Sequence, residues 1–333
     1  MKKMKNRIIE DIYNISIIKK QLLSEGYACR KWILTTGNGK YVLKQMNIKE
    51  LNRLKFVNSI QKLLSDNNLT ANVINTKDNC THFIYDGNFY VLYQYIDGYH
   101  LDKYKLSIQN QYELGCLLGN IHKVLNSSMI ADGENYNSRC LNMREPNIDK
   151  IADLIILHKK NDNKEAVKLL ESKLRLLKKY NYEDIRYLFF KYNDKIVHGD
   201  FYLDNIIKAD SLMCLDLDQS CVFPLQYEIY RAMSMICYDG DFDDLKVFKN
   251  IKSFLKGYQS IYSISVEDLI DGLEIFNYIS LNSLYCLRVN DDISYAKYKL
   301  KMIKWVLKNR DSIIRIIQEV KDEKANSNFS FSL

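Results

Sequence analysis

The sequence predicts an α+β protein in two parts: a small strand-rich part over residues 1–96 and a larger, mostly helical part over 97–333. Three observations carry this expectation. The runs "ACRKWILTTGNGKYVLKQMN", "THFIYDG" and "NFYVLYQYI" are rich in β-branched and aromatic residues and broken by glycine turns, and all lie before Gly98. After Gly98, apolar residues recur at helical spacing. One short strand–turn–strand, "NIIKADSLMCLDLD", interrupts the helical part.

Each element follows from its own pattern. Residues 4–24 repeat apolar positions at helical spacing and read as a helix. Two strands then flank "GNG", where Asn38-Gly39 suits a hairpin turn because both residue types tolerate positive φ. Residues 48–66 form an amphipathic helix, and two further strands meet at a turn with Gly87-Asn88. In the second part, 107–127 is a long helix, 126–146 a loop rich in Ser, Asn and Gly, and 147–192 a run of helices. The hairpin turns at Ala209-Asp210-Ser211, helices fill 224–322, and the last ten or so residues read as a frayed tail. In "EDLIDGLEIF", Ser265 stands ready as a helix cap, with acids in the first turn.

Composition narrows the function. Hydrophobic content of 47% and charged content of 27% belong to a globular chain rather than a disordered one. The formal charge of +7 is mild and its lysines are dispersed over solvated helix faces, which argues against nucleic acid as a partner. No apolar run approaches the ~18 residues of a membrane span, and the polar N-terminus has no apolar signal core. The 8 cysteines include no C-x-x-C pair and no Cys/His cluster at zinc spacing. Reduced thiols in a cytoplasm are the expectation.

The chemistry concentrates in "IVHGDFYLDNIIK", 196–208, and "CLDLDQS", 214–220. Magnesium-dependent phosphoryl transfer needs a carboxylate to orient the attacking hydroxyl, oxygen ligands to hold Mg²⁺ against the phosphates, and a lysine on those phosphates. Asp200 supplies the first. Asn205 follows five residues later across a short turn, and the hairpin 206–215 returns the chain to place Asp216 beside it. Asp218, two residues on along an extended segment, is expected on the same side.

H-G-D-x-x-x-x-N followed by hydrophobic-Asp-hydrophobic-Asp resembles the aminoglycoside phosphotransferase/choline kinase family, small-molecule relatives of the protein kinases. "YVLK", "VLYQYIDG", "LGCLLGNIH" and "FPLQYEIYRAM" resemble further family segments in the right order. The resemblance covers most of the chain. It implies a two-lobed protein-kinase-like fold, with a nucleotide-binding lobe over 1–96 and a helical lobe over 97–333 that carries the catalytic loop and acceptor site. It also implies roles: Asp200 as catalytic base, His198 as the residue orienting the catalytic loop, Asn205 and Asp216 as Mg²⁺ ligands with Asp218 assisting, and Lys44 on the phosphates. Backbone groups around Gln94 and Ile96 would hold adenine, and the turn "EGYACRK", with Gly26, would cover the nucleotide.

Departures from the protein-kinase pattern are equally informative. There is no G-x-G-x-x-G, no Asp-Phe-Gly and no Ala-Pro-Glu, and Gly199 stands where protein kinases have arginine. A protein substrate is therefore not expected. Glu50, the one acid early in helix 48–66, stands near the helix start, a poor place from which to pair with Lys44. Glu228 replaces an aspartate usual in the family, and His122 reads as a satisfied core histidine. The acidic run "YDGDFDD", 238–244, is either a solvated loop or part of an acceptor site through Asp239 and Asp241.

The expected activity is transfer of a γ-phosphoryl group from ATP, with GTP possible, to a hydroxyl of a small molecule. An aminoglycoside or related amino alcohol is the first acceptor; choline, ethanolamine, homoserine or a sugar are alternatives. A reading of another class is a binding or structural protein with this fold, since spore-coat-associated members are similar in length and motif. A two-metal hydrolase on His198, Asp200 and Asp216 ranks last, for want of further ligands.

Overall fold

The computed structural model describes residues 4–25, 29–127, 143–238 and 240–330. In chain order the elements are α1 (Asn6–Tyr13), β1 (Ile17–Glu25), β2 (Arg30–Thr36), β3 (Gly39–Gln45), α2 (Leu51–Asp66), β4 (Val73–Ile74), β5 (Phe83–Tyr85) and β6 (Asn88–Gln94). Then follow α3 (Ile108–Ser127), α4 (Ile148–Lys160), α5 (Lys164–Leu177), α6 (Tyr182–Tyr192), β7 (Ile196–Val197), β8 (Ile206–Lys208), β9 (Leu212–Cys214) and β10 (Cys221–Val222). The chain ends in α7 (Leu225–Ile236), α8 (Asp244–Ile261), α9 (Val266–Asn282), α10 (Ser294–Lys308) and α11 (Arg310–Ser330). The class is α+β: a strand-rich N-terminal sheet followed by a helical C-terminal region.

The chain divides into two compact units. One gathers the described residues of Met1–Leu101, Lys123–Tyr136 and His198–Cys221, and the other those of Asp102–His122, Asn137–Val197 and Val222–Leu333.

The first unit is built on an antiparallel sheet ordered β1-β2-β3-β6-β4, with β5 also on β6. Alternation along the strands sorts its two faces. Leu34, Leu43, Tyr90 and Leu92 pack with Ile9 and Tyr13 of α1 in one core cluster. Their neighbours Lys31, Lys44 and Val91 project from the opposite face. β2 and β3 pair in register, with Lys31 directly across from Lys44. Residues this close on one face place their side chains within reach of a shared partner.

The first 25 residues correct the sequence reading. The helix ends at Asn14, which takes a left-handed φ of 53° as its C-cap, and Ile17–Glu25 becomes the edge strand β1. The pairs Ile17-Ile18 and Leu22-Leu23 satisfy either period. Pairing with β2, through a register shifted at two places, decides for the strand. Both hairpins also turn one residue earlier than expected. Thr36 pairs with Gly39, so Gly37-Asn38 forms the first turn, with the positive φ (127°) at Gly39 and not at Asn38. Tyr85 pairs with Asn88 around Asp86-Gly87, whose φ values of 48° and 71° suit a right-twisted hairpin. The two-residue β4 had no signal in the sequence, and α11 continues to Ser330 where a frayed tail was expected. Most of the expected loop over 126–146 lies outside the described residues.

In the second unit, α9 is the hub: it packs against α5, α6, α7, α10 and α11. A helix contacted on so many sides must be apolar nearly all round, and Leu269, Leu273, Phe276, Tyr278 and Leu281 are all buried. Ser265 caps its start, accepting from the Asp268 N–H at 3.0 Å. His122 of α3 is fully buried and satisfied at both ring nitrogens, by the Tyr258 hydroxyl and the Glu228 carboxylate, each at 2.8 Å. α3 and α8 cross on a pair of glycines. A Cβ on Gly115 would strike the Phe254 carbonyl, and one on Gly257 would strike the Tyr112 carbonyl.

Gly257→Ala should therefore destabilise the protein by roughly 1–3 kcal/mol through overpacking. Gly37→Ala, whose Cβ meets nothing within 4 Å, should move stability by no more than ~0.5 kcal/mol. Urea unfolding followed by circular dichroism separates the two.

Candidate active site

The sequence-predicted site residues that are described all belong to the first unit, apart from Asp241. The site starts at Gly199. Its φ is 81°, and a Cβ there would strike the carbonyl of Gln219. Only glycine lets the His198–Asp200 segment turn so close to the segment carrying the two later aspartates. His198, fully buried, ties the same two segments together. Its Nδ1 accepts the Asp200 N–H at 3.2 Å, so the proton sits on Nε2, which donates to the Leu215 carbonyl at 3.1 Å. Ser220 closes the arrangement by donating to the His198 carbonyl at 3.2 Å.

Asp200 and Asn205 meet across the turn. The Asn205 side-chain amide donates to the Asp200 carbonyl at 2.9 Å and to its carboxylate Oδ2 at 3.1 Å. With both N–H groups spent on Asp200, the Oδ1 of Asn205 remains an acceptor free to serve as an oxygen ligand. The Leu215 N–H donates to the Asn205 carbonyl at 2.7 Å, which brings the chain just ahead of Asp216 alongside.

Asp216 and Asp218 converge on Lys44 by a route the sequence reading did not anticipate. Instead of an extended segment, Asp216 takes a left-handed φ of 64° and Leu217–Gln219 forms a 3₁₀ turn. Lys44 Nζ then lies 2.9 Å from Asp216 Oδ1 and 2.6 Å from Asp218 Oδ1. Lys31 reaches the other oxygen of Asp216 at 2.8 Å. Arg53 of α2 donates to the Asp218 carbonyl at 2.8 Å. Lys31 and Arg53 are the site residues that sequence reasoning missed. Lys31 could have been found, because a lysine directly across a hairpin from Lys44 must share its face. The sequence offered nothing comparable for Arg53.

The charges divide unequally. Burial works to raise the Asp216 carboxyl, but Lys44 and Lys31 outweigh it and hold it well below the ordinary range. Burial also raises Asp218; it shares a single lysine with its neighbour, and the net direction is upward. Burial lowers Lys44, yet Asp218 and Asp216 more than compensate and hold its ammonium well above the ordinary value. Lys44, only 4% exposed, is thus a firmly charged cation.

The remaining candidates are placed as follows. Gln94 ends β6, its N–H donates to the Asn72 carbonyl at 2.9 Å, and Ile96 is half-buried two residues beyond. The strap that follows is tied to the β8–β9 hairpin, with Tyr99 and Lys208 exchanging backbone hydrogen bonds at 3.0 and 2.9 Å. Gly26 and Asp239 lie outside the described residues. Asp241 is exposed, while its neighbours do structural work: Asp243 caps α8 and Asp244 accepts from the Trp305 indole at 2.6 Å. Glu50 precedes α2 without capping it, and Lys44 pairs with Asp216 and Asp218 instead.

Among the described residues, no group of three or more His, Cys, Asp or Glu side chains could cage a metal by itself. Two carboxylates and an amide oxygen are hard donors that fit Mg²⁺ when substrate phosphates and water complete its shell.

Removing Lys44 would leave the half-buried Asp218 carboxylate without a cation and Asp216 with Lys31 alone. Lys44→Met should cost ~3–5 kcal/mol at pH 7. The cost should shrink as the pH falls towards 4, because Asp218, freed of its cation, and Asp216, left with Lys31 alone, take up protons more readily and lose their charge. Urea unfolding at both pH values checks the sign. An equal cost at each would show that the ion pairs are not the source.

A model of the phosphotransferase enzyme family matches residues 20–262. No curated protein matches the sequence. Among solved structures, the amicoumacin kinase hAmiN in complex with AMP-PNP, Ca²⁺ and Ami aligns with a TM-score of 0.61 at 11% identity, over 96% of this chain and 92% of that one. An aminoglycoside phosphotransferase from Alicyclobacillus acidocaldarius aligns at 0.61 and 11%, over 97% of each chain. A choline kinase from Cryptosporidium parvum aligns at 0.58 and 16%, over 93% and 98%. At such identities the likeness is one of fold, the kinase-like fold of small-molecule kinases. The family match covers well over half the chain, and the chain belongs to the phosphotransferase enzyme family.

Proposed function

We propose that this protein transfers the γ-phosphoryl group of a nucleoside triphosphate, ATP before GTP, to a hydroxyl of a small amino alcohol, with an aminoglycoside-type compound as first choice. The observation that carries the reading is the convergence of Lys44, Asp216 and Asp218 in the same unit as the hydrogen-bonded Asp200–Asn205 pair. Phosphoryl transfer asks for little more than such positioned charges.

The division of labour is the one the family resemblance implies, and the geometry supports it. Asp200 orients the acceptor hydroxyl and takes its proton, held in place by Asn205 and, through its own N–H, by His198. Asn205 Oδ1 and Asp216, assisted by Asp218, would hold Mg²⁺, which would supply charge neutralisation for the phosphates. Lys44 is aimed at the same place and serves the phosphates. Lys31, on the same face of the sheet, is a second cation for them. The backbone around Gln94 and Ile96 takes the adenine, with residues 1–96 as the nucleotide-binding lobe, 97–333 as the helical lobe, and the Gly26 turn covering the nucleotide.

The acceptor class rests on fold neighbours with amine-bearing substrates in their names, among them an aminopropanol kinase (TM-score 0.60) and a spectinomycin phosphotransferase (0.53). Asp239 and Asp241 are offered as its amine contacts. The described cysteines are all free thiols, which supports a cytoplasmic setting. No helix among the described residues is long and apolar enough to cross a membrane.

The test is Mg²⁺-dependent ADP or GDP release over aminoglycosides, choline, ethanolamine, homoserine and simple sugars. Turnover should require one acceptor class, and Asp200→Asn should lower kcat by ~100-fold or more while leaving the nucleotide-induced rise in melting temperature intact. Failure of nucleotide with Mg²⁺ to bind at all would overturn the reading in favour of a structural protein with this fold.

A further inference from the structure

The second unit contains a group of cations that phosphoryl transfer in the first unit leaves unexplained. Lys173 of α5 is 6% exposed, and its ammonium finds one acceptor, the Ser280 carbonyl in the last turn of α9, at 3.0 Å. Lys299 of α10 is half-buried, with its ammonium 3.2 Å from the Ser234 hydroxyl of α7 and 5.4 Å from the centre of the Phe276 ring. Phe276 and Ser280 are one helical turn apart, so both lysines lie along one stripe of α9. The charges of Arg231, Lys173 and Lys103 all bear on Lys299.

Donor accounting exposes the anomaly. An ammonium carries three N–H donors, and among the described residues each of these two lysines has a single hydrogen-bond acceptor and no acidic partner. Three acids of the same unit have partners of their own: Glu228 has His122, Glu274 has Arg310 and Glu165 has Lys297. Burial lowers both lysines to about 7, and for Lys299 the neighbouring cations add to the effect. A protein does not gain stability by burying two unpaired amines side by side. An anion between them would supply the missing acceptors and hold both amines protonated.

We propose that Lys173 and Lys299, where α5 and α10 pack along α9, form an anion-binding site that takes the carboxylate or phosphate group of a small molecule, with Arg231 of α7 as a further cation. The site is independent of the kinase reading. Its ligand is either a free anion or the anionic arm of a larger small molecule.

The experiment is a thermal-melt titration of the full chain at pH 7 with inorganic phosphate, malonate and glycerol 3-phosphate, against chloride at constant ionic strength. The wild-type midpoint should rise saturably by at least ~2 °C with one of these anions. The double variant Lys173→Met/Lys299→Met should melt no lower than the wild type without anion, because unpaired buried amines have become apolar side chains, and its midpoint should stay flat on titration. Lys299→Arg should keep the response. Mg²⁺ with a non-hydrolysable nucleotide should shift the double variant as it does the wild type, showing that the variant is folded. Tighter binding of glycerol 3-phosphate than of phosphate identifies the arm of a larger molecule; equal binding identifies a free anion. No response in the wild type to any of the three anions, or a full response in the double variant, overturns the proposal.

Discussion

Burial of Lys44 in the sheet of the first unit is the constraint on which the rest of that unit depends. A cation that is 4% exposed needs partners of opposite charge. The strand that carries Lys44 cannot supply them, and the only acid near the start of α2 does not. They come from residues more than 170 positions later in the chain, Asp216 and Asp218. The need for that pairing explains why the segment 198–221 belongs with the N-terminal sheet and not with the helices on either side of it in sequence. Other ties support the same docking: Arg53 to Asp218, the Cys214 N–H to the Leu69 carbonyl, and the backbone exchange between Tyr99 and Lys208.

The segment meets this demand with unusual backbone. Gly199 turns with positive φ against Gln219, and Asp216 adopts a left-handed conformation that a non-glycine residue takes only at some cost. His198 stabilises both sides of the turn through its two ring nitrogens, with a proton arrangement dictated by its partners. The result is a set of oxygens and ammonium groups held in position before any ligand arrives. Charge-stabilising chemistry benefits most from that kind of preorganisation.

The second unit shows the opposite electrostatic habit. Its buried His122–Glu228 pair is complete, closed by Tyr258, and reads as a structural tie among α3, α7 and α8. Lys173 and Lys299 are not complete, although both lie beside the hub helix α9. A helical scaffold that satisfies one buried charge fully and leaves two amines short of acceptors has spent stability on the second arrangement, and a ligand is the physical reason offered for it.

The candidate catalytic residues were legible because the motif that carries them is local. His198, Gly199, Asp200 and Asn205 lie within eight residues, and the hairpin 206–215 has its own turn signal, so the motif and the resemblance it carries pointed to them. The long helices were legible for the same reason, since amphipathic periodicity repeats over many residues. What the sequence could not decide were competitions settled by distant partners. Ile17–Glu25 fits a helix or a strand equally well until β2 pairs with it. The path from Asp216 to Asp218 looks extended until Lys44 draws both carboxylates inward. Lys31 and Arg53 are ordinary surface-type residues in sequence and become site residues only through the register of β2 on β3 and the placement of α2. The sequence by itself determined which groups could do the chemistry and the order in which they occur. Tertiary structure alone decided which charges share a partner and which are left wanting one, because Coulomb energy and desolvation depend on distance and burial, and neither is written in the spacing of residues along a chain.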